Sequence, residues 1–305
     1  MTDYPIKLGS ILFTLVEPHK GHEVDYNRWY ERDHFYAGCM VGPGILAGKR
    51  WVATKPYKEL RYPERTPIAK DPKLGSYLAT YWIEASQSQE WGAWGGKEVH
   101  RLHKEDRMFE ERDHIHTKMY RYRGGVSRDP DGVPPEIALD HGFKGLAVTF
   151  VEGEDRKLLD QWYRETYLPR AQQGSPVAMT LAFTAIPIPS DAPGDVPRVA
   201  DDEKRMLYLS FLDSDPIVVR ETGRGGRGRG ARQGDLGRCV HSHDPRHGHV
   251  HRPALVTDSG LSGSVAADGV DRRTAPPALA RRLRRHPRGG LGDERDRRDG
   301  AAPGV

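Results

Sequence analysis

The sequence predicts an α+β fold: two tandem ferredoxin-like units of order β-α-β-β-α-β, the second incomplete. Three observations carry this. Strand-like and helix-like runs alternate in that order. Three blocks recur in the same sequence along the chain. The composition changes abruptly near residue 220. The recurring blocks are GSILFTLVEP (9–18) against GLAVTFVEG (145–153), the pair Trp29-Tyr30 inside DYNRWYERDHF against Trp162-Tyr163 inside KLLDQWYRETYLP, and YLATYWIEAS (77–86) against MLYLSFLDSD (206–215). Their offsets are 135, 133 and 129 residues, so one duplication explains all three.

In the first unit (1–125), β-branched and aromatic residues closed by an acidic residue and a turn former predict a strand over 9–18. The turn Pro18-His19-Lys20-Gly21 leads to a helix over 23–38. Gly42-Pro43-Gly44 precedes a strand over 45–54. A loop with Pro56, Pro63, Pro67 and Pro72 leads to a strand over 75–84. Trp91, Trp94, Val99, Leu102 and Phe109 fall near helical spacing and predict a helix over 88–113. HTKMYRYRG, which alternates cations with Met119 and two tyrosines, closes the unit as a strand. Residues 126–141, with Pro130, Pro134 and Pro135, read as a linker. The second unit (142–220) shows a strand (144–153), a helix (155–172) and strands at 178–189 and 204–213, then stops short of its second helix and last strand.

From Glu221 to Val305 the chain has no Phe, Tyr, Trp, Met, Ile, Lys or Asn, and it carries 17 Arg and 16 Gly. This stretch is predicted to be a disordered tail. Its abrupt onset is the pattern of a GC-rich gene read out of frame, a native Arg/Gly-rich tail being the alternative. The tail has a net charge of +7 and the whole chain +4, so residues 1–220 sum to about −3. A basic nucleic-acid-binding body is thereby excluded. No apolar run is long enough for a secretion signal or a membrane span. With two cysteines, Cys39 and Cys239, there is no disulfide framework. A cytoplasmic protein is expected. The truncated second unit would bare an apolar sheet face, so self-association is expected too.

On a helix Tyr30 and His34 are i and i+4 and share a face. His34 is a candidate general base, with Tyr30 the donor to a developing oxyanion. Trp29 and the second-copy pair Tyr163 and Tyr167 are candidate substrate-lining residues, equally readable as core anchors. Tyr167 replaces His34 in the second copy, so the first copy is the candidate catalytic half. His100 and His103, then His114 and His116, lie in and just after the second predicted helix. They lack a zinc spacing and read as a solvated helix face. No nucleotide-binding glycine pattern or serine-hydrolase elbow is present.

With W-Y-x-x-x-H at the end of its first helix and duplicated element order, residues 5–215 resemble the dimeric α/β-barrel superfamily, in particular its EthD-like members. The resemblance implies that the two units form an intrachain α/β barrel, and that the histidine borders a cavity between helix and sheet. It implies a small hydrophobic partner — aromatic, polyketide-like or terpenoid — and cofactor-independent isomerase, dehydratase or monooxygenase chemistry. Its alternatives are a non-catalytic or stress-related binding protein and a heme-dependent tandem enzyme. No cofactor and no metal is expected, heme being the alternative.

Overall fold

The computed structural model describes residues 5–62, 66, 68–188, 190 and 202–217, with the backbone of 239–242 and 257–258. The first copy contains β1 (Leu8–Pro18), α1 (Glu23–Trp29), β2 (Ile45–Val52), a short α2 (Lys55–Lys58), β3 (Tyr77–Glu84), α3 (Ser88–Lys104) and β4 (Arg112–Ser127). The second contains β5 (Gly145–Glu152), α4 (Arg156–Trp162), α5 (Leu168–Gln172), β6 (Val177–Ala185) and β7 (Arg205–Leu212). All seven strands pair antiparallel in the order β2-β3-β1-β4-β6-β7-β5. Each copy thus places its first strand beside its third, and its third beside its second. The N-terminal part of β4 pairs with β1 and its C-terminal part with β6, so one strand of 16 residues joins the copies.

Alternate residues of a strand face opposite sides. On one side Ile11, Phe13 and Leu15 of β1 join Trp82, Leu146, Phe150, Leu181, Phe183, Leu207 and Phe211 in a single buried cluster. Trp82 touches Phe183 and Phe211, and Phe13 touches Phe150, across strands that do not pair. The sheet therefore curls until its inner face packs on itself. Each such fully buried side chain contributes about 1.5–3 kcal/mol. On the outer face, Val16, Ala79 and Tyr81 receive Tyr26 and Tyr30 from the helix layer.

Both copies change helix type at the same place. α1 gives way at Tyr30–His34 to a π-helical turn, and α4 does so at Tyr163–Tyr167, in each case directly after the duplicated tryptophan. A second π turn, Tyr36–Met40, carries the first copy on towards β2.

Three expectations need correction. The second helix ends at Lys104 and not near residue 113. Asp106 takes a left-handed φ of 55°, and the Arg107 and Asp106 amides donate to Leu102 and His103 carbonyls, which ends the helix without a glycine. His114 and His116 consequently lie on β4 and not on a solvated helix face. The linker is partly core: β4 runs on to Ser127, and Ala138 and Leu139 are buried in the inner cluster, with Trp82 Nε1 donating to the Pro135 carbonyl at 2.8 Å. Within the expected tail, β8 (Cys239–Ser242) pairs antiparallel with both β2 and β5, and β9 (Thr257–Asp258) pairs parallel with β5. The remaining tail residues, and with them most of the expected disorder and reading-frame change, lie outside the described residues.

Candidate functional site

The π turn decides the geometry around His34. A π-helix closes hydrogen bonds from i to i+5 and brings residues at that spacing into line. Trp29 and His34 are such a pair, and their rings stack at 4.3 Å with planes 18° apart. Trp162 and Tyr167 repeat the arrangement at 5.7 Å and 26°. The i, i+4 pair named by the sequence also meets, with Tyr30 edge-on to His34 at 5.2 Å. Trp29 is fixed in turn by its indole N–H, which donates to the Arg107 carbonyl at 2.7 Å, while Arg107 pairs with Asp33.

His34 presses one edge of its ring, Nδ1 and Cε1, against the Cα of Gly38, where a Cβ would stand about 2.5 Å away. Nδ1 is buried without a hydrogen-bond partner. Burial first, then the Arg112 guanidinium and His114, lower the His34 pKa to about 3. The imidazole is therefore neutral across the physiological range and does not supply the base poised near pH 7 that the sequence suggested. Arg112 lies 5.1 Å from the Trp29 ring and Arg50 lies 4.4 Å from the Tyr30 ring, so two guanidiniums sit against the aromatic layer. Arg50 is held by Asn27 and Glu31. His114 bonds Thr117 at 2.7 Å, and Thr117 meets Thr14 across the β1–β4 ladder.

Tyr30 is placed differently from expectation. Its hydroxyl meets that of Tyr81 at 2.7 Å, both rings are buried, and burial raises both phenol pKa values well above normal. Cys39, also buried, lies beside Tyr81, and burial pushes its thiol up to about 12. The three groups form a closed hydrogen-bonded layer that fastens the helix to the sheet.

In the second copy Tyr163 stacks on Tyr208 at 4.2 Å and meets Tyr167 at 4.6 Å. Tyr208 also donates to Asp160, which Arg164 grips. The two helix–sheet layers are thus built alike but furnished differently: imidazole with two arginines in one, a tyrosine cluster in the other. The sequence reading did not single out Arg50, Arg112 or Tyr81. The alternation of cations and aromatics along β4 was the available signal for Arg112, and nothing local marks Arg50.

Among the described residues, no group of three or more His, Cys, Asp or Glu side chains could hold a metal ion. His100 and His103 sit exposed on α3, and His34 has Trp29 stacked on its face. The stacked Trp29 leaves His34 no free flank on that face for a heme.

No family model and no curated protein matches the chain. Solved structures are similar at low identity, three of them as follows. An anthrone oxidase-like protein has a TM-score of 0.45 at 8% identity over 75% of this chain and 84% of its own. A putative chlorite dismutase has 0.38 at 10% over 73% and 87%. A putative monooxygenase from Fusobacterium nucleatum subsp. nucleatum ATCC 25586 has 0.38 at 8% over 72% and 82%.

Proposed function

We propose that the curled sheet is a tandem ferredoxin-like α/β barrel of the EthD-like kind. In this reading the layer between α1 and β1–β3 binds a small hydrophobic, aromatic molecule for isomerase, dehydratase or monooxygenase chemistry without a cofactor. One observation carries the reading. A neutral imidazole with an unpartnered ring nitrogen packs on Trp29 and Tyr30, the two rings against which Arg112 and Arg50 sit, in the first unit only. A neutral imidazole still donates one hydrogen bond, from whichever ring nitrogen carries its proton. Two nearby guanidiniums favour an oxygen that gains negative charge. His34 in this role stabilises an enolate or phenolate oxygen, Trp29 and the flanking rings hold the carbon skeleton, and Tyr30 is a positioning residue.

The test is ligand binding followed by turnover. Quenching of tryptophan fluorescence by a panel of hydroxylated aromatics identifies ligands, and His34→Ala and His34→Gln are then compared on the best one. As a donor, His34 is partly replaced by glutamine, so the Gln variant stays within about tenfold of the parent while Ala loses about 10²–10³-fold. Equal losses in both variants would return the role of base to His34. The closure of Tyr30 on Tyr81 favours a second reading, a non-catalytic binding protein. That reading expects affinity without turnover.

A further inference from the structure

The outer face of the sheet carries a cluster of arginines where β4 passes from the first unit to the second. β4 and β6 slip out of register between Tyr122 and Gly124, so Arg123 is the extra residue of a β-bulge. Arg121 pairs with Thr184 ahead of the bulge, and Gly124 pairs with Ala182 behind it. Thr184 and Ala182 flank Phe183, which belongs to the inner cluster, so alternation puts both on the outer face. Arg121 and Gly124 therefore face outward as well, although three positions apart they would take opposite faces of an unbroken strand. Arg123 joins them there, because its Nε donates to Thr184 Oγ1 at 2.8 Å. Both Arg121 and Arg123 are exposed.

A third guanidinium comes from the helix layer. Gly124 has a φ of 129°, and a Cβ on it would stand 3.0 Å from Nη1 of Arg164, so the missing side chain lets that cation reach β4. Arg164 turns its Nε and Nη2 to the Asp160 carboxylate, at 3.0 and 2.7 Å. Among the described residues, Nη1 of Arg164, both terminal nitrogens of Arg123 and the whole Arg121 guanidinium have no acceptor. Arg156 precedes Asp160 by one turn of α4. Burial first, then the charges of Arg121 and Arg156, lower the Arg123 pKa, with Asp160 opposing them. The nearby acids are engaged: Asp160 by Arg164, and Glu165 by Gln161 Nε2 at 3.1 Å. Four guanidiniums thus face two carboxylates, an excess of two positive charges.

We propose that this arginine cluster binds the phosphate group of a small soluble molecule. A phosphate monoester carries a charge of about −1.5 to −2 at pH 7 and offers three strong acceptor oxygens, which matches the charge excess and the nitrogens left without acceptors. Guanidinium forks donate to such oxygens in pairs. A lone carboxylate would leave half of the excess unmatched. The cluster uses none of the residues assigned to aromatic binding around His34 and does not rest on that reading.

The experiment is modification of the full chain with phenylglyoxal, which reacts with arginine, using inorganic phosphate as the probe. Peptide mapping reads each arginine separately, so those after residue 220 do not obscure the cluster. Relative to sodium chloride of equal ionic strength, about 10 mM phosphate is expected to slow modification of Arg121 and Arg123 at least about fivefold. The exposed Arg32 and Arg170 keep their rates. Arg121→Gln removes one fork of a shared site, so protecting Arg123 should then take about tenfold more phosphate. Vesicles containing phosphatidic acid, matched in phosphate concentration, are expected to protect less than free phosphate. No slowing at Arg121 and Arg123, or equal slowing at Arg32 and Arg170, overturns the site. Unchanged protection of Arg123 in Arg121→Gln overturns the convergence of the two arginines on one group. Stronger protection by the vesicles overturns the assignment to a soluble ligand.

Discussion

At the scale of single residues the two halves of the sheet offer controls for each other. Trp29 and Trp162 occupy matched positions, yet the Trp29 indole donates to Arg107 while Trp162 Nε1 is buried without an acceptor. Arg107 follows α3, which Asp106 ends. A satisfied buried hydrogen bond is worth about 1 kcal/mol, and removing one partner strands the other. Trp29→Phe is therefore expected to cost about 1–2 kcal/mol more than Trp162→Phe, measured by urea unfolding. The buried histidines make a pH prediction. His34 and His116 have folded pKa values of about 3, below the unfolded 6.5. The unfolded chain binds their protons first as acid is added. Stability is thus complete above pH 6.5 and falls by about 1.4 kcal/mol per pH unit per histidine below it. His116→Leu should shrink the stability difference between pH 7 and pH 5 by about 2 kcal/mol. An undiminished difference would show that His116 takes up its proton in the folded protein.

At the scale of elements, helix ends and helix type decide the site. α3 stops on Asp106 in the left-handed region, which glycine occupies at less cost. Asp106→Gly is expected to stabilise by about 0.5–1 kcal/mol, read from the thermal midpoint. Gly92, inside α3, has open space where a Cβ would stand. Gly92→Ala should add about 0.5–1 kcal/mol. Gly38 is the opposite case, since its missing Cβ makes room for the His34 ring. Gly38→Ala should displace that ring, cost about 1–3 kcal/mol and weaken any ligand that quenches Trp29. The π turns explain why sequence spacing only half succeeded. An i, i+4 rule found Tyr30 beside His34, but the stacked partner is Trp29, five residues before His34, a spacing that no α-helical reading selects.

At the scale of the whole molecule, a single strand does the joining. β4 closes the first copy against β1 and continues as the neighbour of β6, which lets the inner faces of both copies form one core. On the far side β2 and β5 are the outer strands of the seven, and β8 pairs with both. An unpaired edge invites pairing with another chain. A protein ending at residue 220 lacks β8 and is expected to self-associate, seen as a concentration-dependent mass in light scattering. A strictly monomeric truncated chain would show that β8 is dispensable for covering these edges.

The sequence by itself determined the order of the strands and helices and the meeting of Tyr30 and His34. These follow from short-range periodicity and from matched blocks, and periodicity survives without knowledge of neighbours. The tertiary structure alone decided what those residues can do. It took the Tyr30 hydroxyl for Tyr81, removed His34 from the titrating range, and buried His116, which had been read with the solvated histidines, on the inner face of the sheet. Each change is an effect of burial beside groups far apart in the chain: Tyr81, Arg112, Phe150 and Arg205. Desolvation and cross-strand charge depend on those distances, and a linear pattern does not contain them.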